Sequence, residues 1–228
     1  MIVGIIAPMK IEMEDILNRI DNLEEYEIMG SIYNHGYINN CEVVLVESGI
    51  GKVNVAVSAT ILIREFNCNF IINTGIAGGT KPLHHRDVII AESFMYHDFD
   101  LRIFKYPYGQ VPGMPKEFMV NINNIVLVKS VLNKMNIPYK TAKIYSGDQF
   151  VTSMDKFENM DLKDGIACEM EGASIAQVCI KAGIDFIGLR YISDIIGEEN
   201  QEEEYFKFET DMAHMSANIC IKLIENLE

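Results

Sequence analysis

Acidic residues in the second half of the chain have the types and positions that acid–base chemistry would need. Glu169 and Glu171 follow a short apolar run, and Asp194 follows a second apolar run at 186–189. A helical pattern separates the two runs, so their order predicts a βαβ unit with parallel pairing. If the strand continues that far, Glu169 and Glu171 would project from one side of it, because residues two apart face the same way. Glu171 and Asp194 would meet beyond the carboxyl ends of these strands, where two acids suit chemistry on a sugar bond.

Each of these acids also has an ordinary structural explanation. Glu171 would complement the dipole of a helix that begins beside it, and Asp194 would cap a loop or a helix. Glu12, which follows the apolar run 1–7, would be a first-turn helix acid. Spacing alone favours these structural roles slightly over catalysis.

The remaining periodicity predicts the elements that position these acids. Strands of the buried type are predicted at 1–7, 69–74, 87–91 and 140–145, and helices at 10–20, 53–63 and 122–135. The segment 26–48 alternates, which predicts antiparallel strands with turns at 34–36 and 39–40. A solvated acidic loop at 198–204 would precede a C-terminal helix, whose opening aromatic residues would form a lid: Tyr205, Phe206 and Phe208.

A series of motifs runs in order through nearly the whole chain: IIAPMKIE, SGIGKVN, NTGIAGG, YHDFD, YGQVPGMP, SGDQF, EMEGASIA and RYISD. This ordered set resembles the 5′-methylthioadenosine/S-adenosylhomocysteine nucleosidases, within the wider nucleoside phosphorylase superfamily. The resemblance implies an α/β fold, a three-layer α/β/α sandwich with a mixed central sheet, in a single domain at 1–228. It also implies hydrolysis of the N-glycosidic bond of methylthioadenosine, S-adenosylhomocysteine and, by extension, 5′-deoxyadenosine. Such a reaction releases adenine in methionine salvage.

The resemblance implies catalytic roles for polar residues of these motifs. Asp194, helped by Ser193, would donate a proton to the leaving purine. Glu12 would activate the attacking water, and Arg190 would lie in the same water network. A carboxyl group acts as an acid near neutral pH only when burial or a neighbouring acid raises its pKa, so the pKa of Asp194 has to be raised.

The same resemblance implies the substrate contacts. Phe150 would stack on the purine, Val151 would bind the base edge through its backbone, and Glu171 would hold the ribose hydroxyls. The other implied contacts are Met9, Ile50, Ala77, Gly78, Glu169 and Met170. Many relatives carry Ser where this chain has Ile76, so a polar neighbour of the ribose and the water is absent here.

An aromatic, proline-containing loop at 104–115 predicts an interface. Phe104, Tyr106 and Tyr108 would be unfavourable on the surface of a monomer, and exposed apolar patches of this kind mark contact sites. The resemblance implies a homodimer in which this loop enters the partner's active site. Phe104, Tyr106 and Pro112 would then pack on the 5′-thioether group.

Other motif-like stretches do not indicate a cofactor or a metal. The stretch SGIGK at 48–52 has too few residues between its glycines for a Walker sequence and lacks Ser or Thr after the lysine. Ala77 replaces the second glycine of a dinucleotide fingerprint, and a strand is predicted where a helix should follow. His84 and His85 have no third ligand at useful spacing, which favours a solvated loop. No metal or cofactor is expected.

The composition narrows the class of protein and its partners. The 228 residues are 49% hydrophobic and 23% charged, which favours one folded α/β domain. A net charge of −14 disfavours nucleic acid and anionic membranes as partners. The five cysteines are scattered like reduced core thiols, and no run resembles a signal peptide or a membrane span. A cytoplasmic protein is therefore expected.

Three alternative functions share parts of this pattern. A purine nucleoside phosphorylase would need cations for phosphate where the anionic Glu12 lies, so the scarcity of arginine favours hydrolysis. A nucleosidase for aminodeoxyfutalosine would share the adenine and ribose contacts, and it stays open. A catalytically silent nucleoside-binding or regulatory protein would lack Glu12 or Asp194, and both are present.

Overall fold

The computed structural model describes residues 1–158, 162 and 165–227. The strands in this part of the chain are β1 (Ile2–Ala7), β2 (Asp21–Ile28), β3 (Ser31–Ile38), β4 (Cys41–Glu47), β5 (Phe70–Asn73), β6 (Ile76–Gly79), β7 (Val88–Tyr96), β8 (Phe118–Met119), β9 (Lys140–Ser146), β10 (Ile166–Glu169) and β11 (Asp185–Ile195). Its α-helices are α1 (Lys10–Leu17), α2 (Lys52–Arg64), α3 (Ile122–Lys134), α4 (Gly172–Ala182) and α5 (Gln201–Ile224). None of these helices is long and apolar enough to cross a membrane.

The strands form one mixed sheet in the order β2-β3-β4-β1-β5-β11-β6-β10-β9-β7-β8. β1 pairs in parallel with β4 and β5, whereas β3 pairs antiparallel with β2 and β4. β11 also pairs with β7, so β11, β6, β10, β9 and β7 close into a ring. The apolar runs of β1, β4 and β5 are largely buried, as expected for strands covered on both faces.

Helices cover both faces of this sheet. α1 and α3 pack against α5, and α2 packs against α4. The arrangement confirms the three-layer α/β/α sandwich with a mixed central sheet. The closed ring at one end of the sheet is an additional feature that the periodicity does not indicate.

β10 and β11 do not pair with each other, so the parallel βαβ unit predicted for them is wrong. β6 lies between them, parallel to β11 and antiparallel to β10. The sequence argument takes successive strands as neighbours, but β6 comes from a much earlier part of the chain. The acids still meet, because Asp194 on β11 and Cys168 beside Glu169 on β10 both pair with Gly78 of β6.

The turn between β2 and β3 differs from the predicted one. It lies at Met29 and Gly30, which both have a positive φ, whereas 34–36 is inside β3. Gly36 is needed there for close approach, because a Cβ would lie 2.5 Å from the carbonyl oxygen of Asp21. The second predicted turn, between β3 and β4, is confirmed.

α5 begins inside the segment that the sequence predicts as a solvated acidic loop. Glu202, Glu203 and Glu204 form its first turn, where the helix dipole stabilises negative charge. The acidic run therefore starts the helix instead of preceding it. Gln201 and Tyr205 consequently lie one turn apart on the same face of α5.

Candidate active site

One open cavity is surrounded by the β1–α1 turn, β6, β10, β11 and the start of α5. The sequence-predicted site residues that line it are Met9, Glu12, Ile50, Ala77, Gly78, Phe150, Glu169, Met170, Glu171, Arg190, Ser193 and Asp194. Val151 lines a smaller adjoining cavity, which shares Phe150 and Asp194 with the first. The structure thus brings most of the predicted residues together.

Glu12 lies in the first turn of α1, and backbone amides hold both of its carboxylate oxygens. The N–H of Met9 donates to Oε2 at 3.1 Å, and the N–H of Ile76 donates to Oε1 at 3.2 Å. Gly75 permits this approach, because a Cβ there would lie 2.5 Å from Oε1. Burial raises the pKa of Glu12 to about 7, and the positive charge of Arg190 opposes the rise. Glu12 therefore exchanges its proton near neutral pH.

Arg190 is buried, and groups from β5, β10 and β11 hold its guanidinium. Nη2 donates to Oε2 of Glu169 at 2.5 Å and to the side-chain oxygen of Asn73. Nη1 donates to the carbonyl oxygens of Asn73 at 3.1 Å and Leu189 at 2.8 Å. Arg190 therefore has a fixed orientation and a fixed counter-charge.

Glu169 lines the cavity, but its oxygens are engaged within the protein. Ser146 Oγ donates to Oε1, and the N–H of Gly172 lies 3.0 and 2.9 Å from the two oxygens. The N–H of Glu171 donates to Oε2 at 3.2 Å, beside Arg190. These contacts fix Arg190 and the start of α4, whereas a direct contact of Glu169 with substrate stays a prediction.

Glu171 lies beyond the end of β10, so the strand does not continue to it and the alternation expected for a longer strand does not apply. It occupies the N-cap position of α4, but its side chain makes no capping hydrogen bond. Its Oε1 accepts from the N–H of Gly51 at 2.8 Å, and its Oε2 accepts from the N–H of Met170 at 3.2 Å. Burial, followed by the negative charge of Glu169, raises the pKa of Glu171 to about 8.

Asp194 is buried near the end of β11, and neutral donors bind both of its oxygens. Ser193 Oγ donates to Oδ1 at 2.6 Å, and Gln201 Nε2 donates to Oδ2 at 2.8 Å. Gly78 leaves room for the carboxyl group, since a Cβ there would lie 3.0 Å from Oδ2. Burial raises the pKa of Asp194, and its two hydrogen bonds oppose that rise.

Aromatic side chains form the apolar wall of the cavity. Phe150 is half-exposed, and its ring meets Tyr205 edge-on, with 5.3 Å between the centroids. Tyr205 also donates from its hydroxyl to Sδ of Met9 at 3.8 Å. Among the aromatic residues that open α5, Tyr205 lines the cavity, Phe206 is exposed, and Phe208 packs on His85. Of these three residues, Tyr205 is therefore the one placed to contact a ligand, and its role as a lid stays a prediction.

Gln201 is the buried polar residue that the sequence reasoning misses. Its Nε2 donates to the carbonyl oxygen of Val151 at 2.9 Å as well as to Asp194. Its Oε1 accepts from the N–H of Gly197 at 3.1 Å. The one sequence signal is a glutamine within the mostly acidic run 198–204, four residues before Tyr205. That signal is too weak to predict a site residue.

The loop residues Phe104, Tyr106 and Pro112 do not line the cavity of their own chain. Phe104 is 68% exposed and its neighbour Ile103 is 85% exposed. The part of the chain that the structure describes thus leaves an apolar loop on the surface. That these residues complete a partner's site stays a prediction.

The structure brings Glu198 and Glu204 close to His85. These two acids are possible metal ligands beside His85 that sequence spacing did not indicate. Nε2 of His85 lies 3.0 Å from Glu204, and Lys81 Nζ lies 3.2 Å from Glu198. Nδ1 of His85 lies 3.1 Å from the carbonyl oxygen of Ser193. These contacts give His85 and Glu198 partners within the protein, and the expectation that no metal is bound stays a prediction.

Known proteins match this chain along its whole length. A model described as the phosphorylase superfamily matches residues 2–225. A 5′-methylthioadenosine/S-adenosylhomocysteine nucleosidase of Staphylococcus carnosus (strain TM300) is 37% identical over 229 residues, which cover 99% of this chain and 100% of the relative. The chain belongs to this nucleosidase family. A nucleosidase of the same name from Desulfotalea psychrophila is 35% identical and covers 99% of this chain and 98% of its own.

The fold of this nucleosidase also matches solved structures. An S-adenosylhomocysteine nucleosidase from Streptococcus pyogenes, in complex with 5-methylthiotubericidin, has a TM-score of 0.93 at 33% identity, covering 100% of this chain and 98% of that chain. Futalosine hydrolase of Helicobacter pylori strain 26695 has a TM-score of 0.92 at 32% identity, covering 99% and 98%. Fold similarity alone therefore does not choose between these two substrates.

Proposed function

We propose that this nucleosidase hydrolyses the N-glycosidic bond of 5′-methylthioadenosine and S-adenosylhomocysteine, releasing adenine and the thioribose. The observation that carries the proposal is that two buried carboxyl groups with raised pKa, Glu12 and Asp194, line the same cavity. Membership of the nucleosidase family supports the substrate class. 5′-Deoxyadenosine shares the base and the ribose, and we include it as a substrate.

In the proposed reaction, Asp194 is the acid on the purine side. The bond from the sugar to the purine breaks through an oxocarbenium-like state, and its electron pair leaves with the base. Protonation of a purine ring nitrogen by Asp194 neutralises that developing charge. The raised pKa of Asp194 keeps the acid protonated to higher pH than an exposed aspartic acid, while Ser193 holds Oδ1.

Glu12 is the proposed base for the attacking water. With a pKa of about 7, a large fraction of Glu12 is ionised at neutral pH and accepts a proton from water. The amides of Met9 and Ile76 fix the direction of its carboxylate. Oxygen of the water bonds to the anomeric carbon, and its proton passes to Glu12.

Glu171 is the proposed ligand of the ribose hydroxyls. Its carboxyl group is buried in the cavity wall and anchored by the N–H of Gly51. Met170 lies beside it along the same wall. Hydroxyl contacts of this kind tighten in the transition state of glycoside hydrolysis, so Glu171 would contribute to rate as well as to binding.

The bonding of Arg190 supports water, rather than phosphate, as the nucleophile. A phosphorylase needs donors free to bind a phosphate ion. Here Nη1 and Nη2 of Arg190 donate to Glu169, Asn73 and Leu189. The anionic Glu12 on the same cavity would also repel phosphate.

We further propose a homodimer, with the active site of each chain completed by the partner's loop. The exposure of Phe104 and Ile103 supports this, because contiguous exposed apolar residues mark interfaces. Phe104, Tyr106 and Pro112 would cover the 5′-substituent of the substrate bound to the partner.

The free cysteines Cys41, Cys68, Cys168, Cys179 and Cys220 are buried, which supports a reducing, cytoplasmic location. We propose one domain for 1–228, since its strands share one sheet.

A second candidate function is hydrolysis of a futalosine-type nucleoside. The similarity to the futalosine hydrolase of Helicobacter pylori favours it, because the match is as complete as those to the nucleosidases. Such a substrate would use the same base and ribose contacts but present a different 5′-group. Ile50 lines the cavity and is 51% exposed, so the cavity is open on this side. This side of the cavity therefore does not limit the size of the 5′-group.

Base release from four nucleosides tests the proposal: adenine from the three adenine nucleosides and hypoxanthine from inosine. Methylthioadenosine, S-adenosylhomocysteine, aminodeoxyfutalosine and inosine are each incubated with enzyme, with and without inorganic phosphate. We expect adenine from the two thioadenosines at a rate that phosphate does not change, and free sugar as the co-product. Formation of the sugar 1-phosphate only in the presence of phosphate would reject hydrolysis, and turnover of aminodeoxyfutalosine alone would favour the second candidate.

A further inference from the structure

We propose that Gln201 occupies the purine-edge position of the base subsite in the resting enzyme, and that the base has to displace it in order to bind. This inference rests on the proposed roles of Asp194 and Val151. It adds a residue that neither the sequence motifs nor the proposed mechanism uses. Gln201 is 4% exposed and lines the cavity that contains Phe150 and Val151.

The contacts of the Gln201 amide coincide with those proposed for the base. Nε2 donates to the carbonyl oxygen of Val151 at 2.9 Å and to Oδ2 of Asp194 at 2.8 Å. The exocyclic amino group of adenine is also an NH₂ donor, and the adjacent ring nitrogen is the proposed recipient of the proton of Asp194. An adenine held by Val151 and Asp194 therefore needs the acceptors that Gln201 now uses.

The same hydrogen bond affects the acid. An N–H that donates to a carboxylate stabilises its ionised form, so the contact of Gln201 with Oδ2 opposes protonation of Asp194. A proton donor has to carry its proton on the oxygen that faces the purine. Departure of Gln201 therefore frees Oδ2 for that proton at the moment when the base arrives.

Displacement of Gln201 also involves the start of α5. Gln201 is the first residue of this helix, and Tyr205, one turn later, contacts Phe150 and Met9. The pair between His85 and Glu204 attaches the same turn to the loop before β7. Base binding and the position of Tyr205, the proposed lid residue, are thus linked through one helical turn.

Calorimetric titration with adenine tests the inference on the wild-type enzyme, Gln201→Ala and the control Glu203→Ala. Glu203 is exposed in the same helical turn. We expect Gln201→Ala to lower the Kd for adenine by about tenfold, because two hydrogen bonds of ordinary net strength no longer compete with the base. Glu203→Ala should leave the Kd unchanged. The KM for methylthioadenosine should fall with the Kd.

Hydrogen exchange provides a second readout that a purely structural role would not move. In the wild-type enzyme the N–H of Gly197 donates to Oε1 of Gln201. Adenine should therefore speed exchange at Gly197 in the wild type and have little effect there in Gln201→Ala. If Gln201→Ala does not fold, Gln201→Met, which keeps the length but has no donor, takes its place in both measurements.

The outcomes separate this inference from the proposed function. An unchanged or higher Kd in Gln201→Ala, with wild-type enzyme that binds adenine, would overturn the displacement of Gln201 alone. A fall in kcat at constant Kd would also overturn it, because Gln201 would then be positioning Asp194 during the reaction. Failure of the wild-type enzyme to bind adenine or to release it from any nucleoside would reject the proposed function, and the inference with it.

Discussion

Glu169 and Arg190 form an ion pair that is almost completely removed from solvent. Oε2 and Nη2 are 2.5 Å apart, and the two side chains are 3% and 1% exposed. The positive charge of Arg190 opposes the raised pKa of both Glu12 and Glu171, while the negative charge of Glu169 adds to it. The buried pair therefore sets the charge balance around the proposed base and the proposed ribose ligand.

Glu169→Gln should destabilise the fold. Removing one partner of a buried pair leaves an uncompensated charge, here that of Arg190, which typically costs about 3–5 kcal/mol. Chemical denaturation would measure the loss of unfolding free energy. The control is Asp211→Asn, which breaks the exposed contact with Arg86 and should have no measurable effect. Equal stability of the two variants would show that the pair does not hold this wall of the cavity.

Asp194→Asn should lose turnover but retain binding. The asparagine keeps the shape and hydrogen-bonding capacity of Asp194, but it has no proton to transfer to the purine. General acid catalysis typically contributes about 10²–10⁴-fold, so kcat should fall by at least that order while the Kd for methylthioadenosine changes little. Asp185→Asn, at the exposed start of the same strand, is the control. Near-normal turnover in Asp194→Asn would return Asp194 to the role of a capping residue.

Local patterns in the sequence predict the individual strands and helices, whereas the three layers and most of the cavity residues are implied by the resemblance of the ordered motifs to a known family. Apolar runs mark the buried strands, and the ordered motifs place residues such as Glu12, Phe150 and Asp194 at strand ends. Pairing is not local, which is why the position of β6 between β10 and β11 has no signal in the sequence near either strand. The neighbour rule for successive strands fails here for that reason.

Gln201 shows a second limit of sequence reasoning. An acidic run usually indicates a solvated segment, but acids in the first turn of a helix are also favourable, and the run is compatible with both. Only the packing of α5 decides that Gln201 points inward to Asp194 and Val151. The role of the loop at 104–115 likewise depends on a second chain, which no pattern within one chain can place.

Phe104→Asp should weaken the proposed dimer and lower activity together. A charge in an apolar interface is costly, and a central contact residue is typically worth about 2 kcal/mol or more, or roughly thirtyfold in kcat/KM if it also covers the substrate. Sedimentation at micromolar concentration and adenine release would be measured on the same sample. Val126→Asp, at a position 59% exposed on α3, is the matched control. A fully active wild-type monomer would exclude sites completed by the partner.

Glu12→Gln should reduce turnover and, at the same time, flatten the dependence of stability on pH. Burial raises the pKa of Glu12 from 4.5 to about 7, so between these values the folded state binds a proton that the unfolded state has lost. The stabilising contribution is therefore complete below about pH 4.5 and is lost as the pH rises to about 7, by roughly 3 kcal/mol in all. Glutamine does not titrate, so the unfolding free energy of Glu12→Gln should fall less steeply over this range. The kcat should drop by about 10²–10⁴-fold, because the base is missing.

Denaturation at a series of pH values tests the slope, with Glu14→Gln, exposed on the same helix, as the control. The same slope in Glu12→Gln and the wild type would show that Glu12 is already ionised throughout the range, and that the water is not activated by a group with a pKa near 7.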